Sequence, residues 1–558
     1  MKNKKGFTLV ELLAVITIMC IILLIAFPST VKLIEQNNQK KYQYYYELIE
    51  NAAIAYANTR QDDLGGIEGK GCVEIDLNTL IDTGFIKKFD EEDIICDTPT
   101  ASGQAKIQIS NDEGNVSTKI SLICTKDNKK KKVVYEKIEN TTGSCDAYVP
   151  KDENVLITKL NDNLSSKVTQ DGTNFFITGT SPNNYVLYSG KLWRVVSYDM
   201  KAKTVKLILD DVISVGSYLT SSATANYANS NILTWLENEF LSTLRNSDKI
   251  LSLDTWNYTT VTSTAKPANT NTRRGKVGLL NLYEYSKVKA GNYLATDSTW
   301  WLLSPYSALN SWYVDTDETT KAAAATKMYG IRPVVTLQSQ ITYMDATETN
   351  LGSKDNPYRI TGERKVTSGT YLNTRYSGEY VKFYNEVDED LYRIVSTSTE
   401  GTKLVLNTVT DTTQRIFDST YYEFSGVTDI GIYLNETWYN TYDTAIKNII
   451  IDGEWCIEPV DETRIQRSKC SDEKYIKTNK VGLLKLGEPY ANAISYEYWT
   501  LNSYLANNYI NVIKPDGTIT QKIYNSTSYV RPAINVDKSV KVISGLGTET
   551  DPYILLSK

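Results

Sequence analysis

From Phe7 to Phe27 almost every position is apolar (FTLVELLAVITIMCIILLIAF). At about 1.5 Å rise per residue, this run is long enough to cross the ~30 Å hydrocarbon core of a bilayer as one helix. Lys2, Lys4 and Lys5 precede it and predict a cytoplasmic N-terminus with the rest of the chain outside. Glu11 interrupts the run, and a carboxylate in apolar surroundings is costly unless something neutralises it. Pro28 lacks the N–H for an i−4 bond and breaks or kinks the helix. Beyond it, Val31, Leu33, Ile34, Tyr42, Tyr45, Leu48, Ile49, Ala52, Ala53 and Tyr56 recur at helical spacing. They predict a second, amphipathic helical half that ends near Gly65-Gly66.

The pattern then shortens. Residues 67–147 predict a small α+β head with a strand at Val73–Ile75 and a helix over Leu77–Phe85. Three further strands are predicted at Ala105–Ser110, Ser117–Cys124 and Lys131–Ile138, separated by turn-forming residues at 111–114 and 127–128. Residues 148–172 are polar and weakly patterned and are expected to be a linker. From 173 onward, short alternating strands and turns dominate.

That last region repeats itself. Leu192-Trp193-Arg194-Val195-Val196-Ser197 matches Leu391-Tyr392-Arg393-Ile394-Val395-Ser396, and Lys206-Leu207-Ile208-Leu209 matches Lys403-Leu404-Val405-Leu406. Trp235–Phe240 matches Tyr433–Trp438, and Lys276-Val277-Gly278-Leu279-Leu280 matches Lys480-Val481-Gly482-Leu483-Leu484. Trp301-x-Leu303 matches Trp499-x-Leu501, Arg332-Pro333 matches Arg531-Pro532, and Asn356-Pro357-Tyr358 matches Asp551-Pro552-Tyr553. Blocks in one order predict two copies of a domain, 173–361 and 362–558, each with one short helix (231–243 and 432–441).

The opening Lys-Lys-Gly-Phe-Thr-Leu-Val-Glu-Leu-Leu resembles the class III signal of type IV pilins and pseudopilins. The resemblance implies a leader at 1–6. A prepilin peptidase would cut between Gly6 and Phe7 and methylate the new terminus. It also implies that Glu11 pairs with the N-terminal amine of a neighbouring subunit, so that two charges compensate in an apolar filament core. Pro28 lies where the family's helix loosens during assembly. The implied fold is α+β: a long N-terminal helix (7–66) packed on a small antiparallel sheet, followed by two tandem mainly-β domains. The Trp-x-Leu-Ser and Arg-Pro-Val-Val blocks of those domains resemble domains of unknown function on Gram-positive surface proteins. They are faintly similar to C-type-lectin-like folds. The lectin calcium triplet is missing, since Glu458-Pro459-Val460 stands in its place.

Composition narrows the chemistry. The 558 residues contain no histidine, which excludes Ser-His-Asp, Cys-His and HExxH chemistry. The net charge of −6 gives no reason to expect whole-surface attraction to nucleic acid. The lysine run at 129–132 reads as a solvated turn. Cys20 is an apolar filler in the N-terminal run. Cys72, Cys96, Cys124, Cys145, Cys456 and Cys470 suggest disulfides, with the local pairings Cys72–Cys96, Cys124–Cys145 and Cys456–Cys470 favoured.

The 40 tyrosines and 9 tryptophans suit β surfaces and ligand stacking alike. Trp300, Trp301, Trp312 and Tyr313 in the first copy, and Tyr498, Trp499, Tyr504 and Tyr509 in the second, could stack on sugar rings, with a core role expected for Trp301 and Trp499. Trp312, Tyr313 and Tyr509, with Asn310, Asn507, Asn511 and Asp315 nearby, are candidates for stacking on and hydrogen-bonding a glycan, with a core role equally open for Trp312 and Tyr509. Arg332 and Arg531 are expected to lock loops. The acids Asp315/Asp317 and Asp388/Asp390 read as loop residues, so no catalytic residue, metal or cofactor is expected. The expected role is a minor or tip pilin whose tandem domains adhere to a host or cell-surface glycan or protein. The expected partners are other pilin subunits, the prepilin peptidase and, before assembly, the membrane. A pseudopilin of a type II secretion or DNA-uptake machine is the second reading. A pilin-anchored surface enzyme such as a glycan hydrolase is the third.

Overall fold

The computed structural model describes residues 46–57, 70–82, 85–86, 95–96, 106–112, 115–125, 132–136 and 155–557, the last with short gaps at 220–224, 340, 345–348, 362–365, 367, 387–389, 462–469 and 505–507. Gly6, Phe7, Glu11, Pro28, Cys145 and Asn507 lie outside the described residues, as does the run expected to cross the membrane. Among the described residues no helix is long and apolar enough to do so. The described residues fall into two compact units, one within 1–148 and one within 149–558.

In the first unit, residues 46–57 are helical. Tyr46, Ile49, Ala53 and Ala57 recur every three or four positions and are buried. They form one core with Leu77, Leu80, Ile107, Ile109 and Ile120. The three alanines on this face, Ala52, Ala53 and Ala57, let helix and sheet approach closely. The sheet is antiparallel, in the order Lys70–Asp76, Lys106–Asp112, Asn115–Thr125, Ile95–Cys96, with Lys132–Glu136 also paired to Asn115–Thr125.

The register corrects one expected disulfide. Cys72 stands opposite Ser110, and Ser110 opposite Ser117. Cys96 stands opposite Cys124, on the far side of two intervening strands. Seven residues of offset along a strand, from 117 to 124, are about 24 Å, far beyond the Cα separation a disulfide spans. Cys72 and Cys96 therefore do not pair.

The second unit begins with a correction as well. The expected linker holds a helix, Leu156–Leu164, whose Leu156, Leu160 and Leu164 are buried in the main core. It continues into a strand, Val168–Asp171, that pairs with Asn174–Ile177.

Two large sheets follow. In the first half the order is Val277–Gly278, Val334–Leu337, Thr204–Leu209, Lys191–Asp199, Tyr185–Tyr188, Tyr358–Ile360. In the second half it is Val481–Leu483, Pro532–Asp537, Gly401–Leu406, Tyr392–Thr397, Tyr380–Lys382, Tyr553–Ile554. These six strands correspond in order, while Tyr343–Met344 extends the first sheet beyond Tyr358–Ile360 and Ile450–Ile451 pairs with Pro532–Asp537 in the second. Both halves shift register at one bulge, at Val196 and at Val395. Both contain one parallel pair, Tyr185–Tyr188 with Tyr358–Ile360 and Tyr380–Lys382 with Tyr553–Ile554.

A helical segment packs beside each sheet. Ser230 and Thr428 cap it by accepting the N–H of Leu233 and Gly431. Each segment then widens to a π-turn, over Leu236–Phe240 and Tyr433–Trp438. A short hairpin in each half carries a buried tryptophan, Trp256 or Trp455. Its ring lies against Gly278 or Gly482, where an added Cβ would come within 2.3 Å of a ring carbon. Only glycine allows that approach.

The two halves share one hydrophobic core. The segment 487–492 of the second half lies along residues 212–214 of the first. Tyr490 N–H donates to the Ile213 carbonyl (2.6 Å), and Asn492 Nδ2 to that of Val212 (2.9 Å). Ser214 Oγ donates to the Glu488 carbonyl (3.0 Å) and Trp235 Nε1 to that of Gly487 (2.6 Å). Further along, Thr299 donates through both N–H and hydroxyl to the Asp516 carbonyl.

Candidate functional site

The aromatic candidates sit on a second, smaller sheet in each half. In the first half its order is Ser214–Ser217, Met328–Ile331, Trp300–Pro305, Asn310–Val314, Thr320–Ala324. Trp300 and Trp301 are buried, and Trp301 Nε1 donates to the Gly216 carbonyl (3.0 Å). Trp499 is likewise buried and donates to the Arg415 carbonyl (2.8 Å). These rings are core.

Trp312 and Tyr313 are neighbours on one strand, so they face opposite sides of the sheet. The structure does not bring them together. Half-buried Trp312 meets Tyr306 edge-on, and its Nε1 donates to the Val261 carbonyl (2.8 Å). The register gives the counterpart: Tyr313 lies opposite Trp301 and Val512 opposite Trp499. Asn511 therefore holds the place of Trp312. It is buried, and its Nδ2 donates to the Val460 carbonyl (2.8 Å). One position latches the same loop in both halves, by an indole N–H in one and an amide in the other. Asn511 does not face a ligand. Tyr509, 42 % exposed, holds the place of Asn310, whose carbonyl closes a turn by accepting the N–H groups of Tyr306 and Ser307.

On the other face, the candidate Tyr313 meets Tyr329, which the sequence pattern did not single out as a ligand contact. Tyr313 and Tyr329 lie with ring centroids 4.7 Å apart, and Trp301 lies 4.8 Å from Tyr329. Both tyrosines are half-buried. Burial raises both hydroxyls, Tyr329 to about 12, so they remain hydrogen-bond donors at neutral pH. Beside them Lys321 pairs with Asp315 (2.5 Å) and Asp317 (3.5 Å). In the second half buried Val512 replaces Tyr313, and Tyr529, the counterpart of Tyr329, packs instead against Tyr496 at 4.9 Å. The half-buried rings of Tyr313 and Tyr329, tilted 45° to one another, with their hydroxyl donors and the nearby carboxylates, offer contacts suited to a polyhydroxylated or peptide ligand.

The remaining candidates are structural in their contacts. Lys321 neutralises the pair Asp315 and Asp317, Asp388 lies outside the described residues, and burial raises the Asp390 carboxyl. Arg332 is fully buried and donates to the carbonyls of Leu209 (2.7 Å), Asp210 (2.6 Å) and Leu294 (2.6 Å). Arg531 makes the matching contacts to Leu406 (2.9 Å) and Tyr490 (2.9 Å).

Cys456, Glu458 and Cys470 lie close enough to suggest a metal cluster. The two cysteines are disulfide-bonded, with Cα atoms 5.5 Å apart, so their sulfurs are not thiolate ligands. Glu458 instead accepts from Ser471 Oγ (2.5 Å) and pairs with Lys485 (3.5 Å). The bond closes a short loop, with a sequence separation of 14. Cys456→Ser is expected to destabilise the second unit by about 2–3 kcal/mol, read from its urea midpoint. An unchanged midpoint would show that the loop is held by its other contacts.

Residues 1–27 match the prokaryotic N-terminal methylation motif. Residues 203–339 match a domain of unknown function, DUF6273, which falls within the first half. No curated protein and no solved structure matches the chain. The N-terminal motif supports an exported protein of type IV pilin-like or pseudopilin kind, processed by a prepilin peptidase, membrane-anchored and then at the cell surface with other pilin subunits.

Proposed function

We propose that the chain is a minor or tip pilin that carries a two-part adhesive region into the extracellular space. The N-terminal methylation motif with Glu11 at its fifth mature position carries this reading. The size of the second unit favours a minor place in the fibre, because so large a body beside every helix would hinder close packing of subunits. In the adhesive role the Tyr313–Tyr329 surface makes first contact with a glycan or protein on another cell. The region acts by binding, without catalysis and without a cofactor. A pseudopilin of a secretion or DNA-uptake machine shares the N-terminal chemistry and is the second reading.

Immunogold labelling of the second unit on intact cells tests the proposal, with Glu11→Ala as comparison. Label at fibre tips that disappears in Glu11→Ala is expected. Without its carboxylate, the subunit has no partner for the neighbouring terminal amine. Label spread over the envelope and indifferent to Glu11 would refute filament assembly and favour an anchored surface enzyme. Tyr313→Ala is expected to lower adhesion while leaving tip label unchanged.

A further inference from the structure

We propose that Lys206 and Asp254 become joined by a side-chain amide bond, with Glu284 carrying the protons. Lys206 lies in the strand Thr204–Leu209, Asp254 begins the hairpin strand Asp254–Asn257, and Glu284 lies in the first turn of the helix Leu282–Val288. Three separate elements thus converge. Lys206 Nζ is 3.0 Å from Asp254 Oδ2 and 2.7 Å from Glu284 Oε1. All three side chains are largely shielded, at 16 %, 22 % and 14 % exposure. The Trp256 ring covers Nζ at 5.1 Å.

Each neighbour has a place in the chemistry. The Asp254 oxygens are held by the Thr255 N–H at Oδ1 (2.6 Å) and the Thr336 hydroxyl at Oδ2 (2.6 Å). These donors stabilise negative charge as the carboxyl carbon is attacked. Glu284 is fixed by its capping box, in which Oε2 accepts the Asn281 N–H (3.1 Å), and this leaves Oε1 on the amine. Glu284 relays a proton from the ammonium to the Asp254 carboxyl, which Lys206 otherwise holds ionised, and the freed amine adds to the carbon of the neutral carboxyl. An N–C bond forms and a C–O bond breaks. The departing oxygen leaves as water with two protons, both originally on the lysine, and the third stays on the amide nitrogen. No oxidant or co-reactant is needed.

An amine held 3.0 Å from an oxygen of the carboxyl it attacks has a very high effective concentration, and shielding from bulk water disfavours the reverse hydrolysis. Burial lowers the affinity of Lys206 for its proton, but Glu284 and Asp254 outweigh that and raise it overall. The reaction is therefore slow, and it needs to occur only once in the life of a chain. The product would tie a central strand of the large sheet to the Trp256 hairpin.

The second half supplies an internal control. Lys403 matches Lys206, with Glu488 at 2.5 Å and Trp455 at 4.7 Å. Two residues before Trp455, where Asp254 stands in the first half, is Gly453, which has no carboxyl.

Peptide mapping of the full-length chain tests the proposal. The isolated protein is denatured, digested with trypsin and analysed by mass spectrometry. The expected result is a branched peptide joining the Lys206 and Asp254 segments, lighter by one water, with no cleavage after Lys206. Linear peptides of full mass, cleaved after Lys206, would overturn the proposal. Cleavage after Lys403 in the same digest is the expected control. Glu284→Gln is expected to leave the peptides linear, and a branched peptide at wild-type yield would overturn the role given to Glu284. Lys206→Arg keeps the positive charge and supplies the linear reference, while the wild-type result is independent of how either variant folds.

Discussion

Trp235→Ala is expected to split the thermal unfolding of the second unit into two transitions and to lower its stability by about 3–5 kcal/mol. The side chain is fully buried, and its Nε1 donates across the junction to the Gly487 carbonyl at 2.6 Å. Truncation leaves a cavity and orphans that carbonyl. The other direct ties across the junction include Tyr490 to Ile213, Asn492 to Val212, Ser214 to Glu488, Thr299 to Asp516 and buried Lys191 to the Ser377 carbonyl (2.7 Å). With the central ring gone, each half retains its own large sheet and is expected to melt separately. Differential scanning calorimetry reads this directly. A single transition at the wild-type temperature would mean that the shared core, and not this contact, couples the halves. Trp235→Phe keeps most of the apolar area and is expected to lose only about 1–2 kcal/mol, through the missing N–H.

Arg332→Met is expected to cost at least as much, about 3–5 kcal/mol. The guanidinium is fully buried with no carboxylate in hydrogen-bond contact, and it serves the carbonyls of Leu209, Asp210 and Leu294 while its charge lies 5.1 Å from the Trp300 ring. A Met chain fills similar volume but donates nothing, so three buried acceptors lose their partners. The urea midpoint of the second unit should fall in proportion, with an unchanged slope. Arg531→Met is the matched test in the other half, with the carbonyls of Leu406 and Tyr490 left open. A shift below about 1 kcal/mol in either variant would mean that water replaces the guanidinium.

Much of the chain is legible from local pattern. The helical spacing over 46–57 and the turn residues near 111–114 describe elements close to those observed. The matched blocks, from the Lys206 and Lys403 strands to Arg332 and Arg531, fall on corresponding strands and loops of two sheets with one order. A lysine set inside the apolar strand VKLIL was visible too. Nothing in the sequence says that Asp254 and Glu284, about 50 and 80 residues away, converge on it.

The sequence by itself determined the N-terminal chemistry, the repeated order of elements and the short-range closure around Cys456 and Cys470, because each depends on neighbours or on self-similarity. The tertiary structure decided what depends on register and on distant partners. It placed Cys96 opposite Cys124, turned Trp312 and Tyr313 to opposite faces, put Asn511 where the first half has Trp312, and drew the expected linker into the core. It also joined the two halves through one hydrophobic core. Periodicity reports which side of an element is apolar. It carries no information on which strand comes to lie beside it, and that pairing sets whether an aromatic ring or a buried charge serves the core, a junction or a surface.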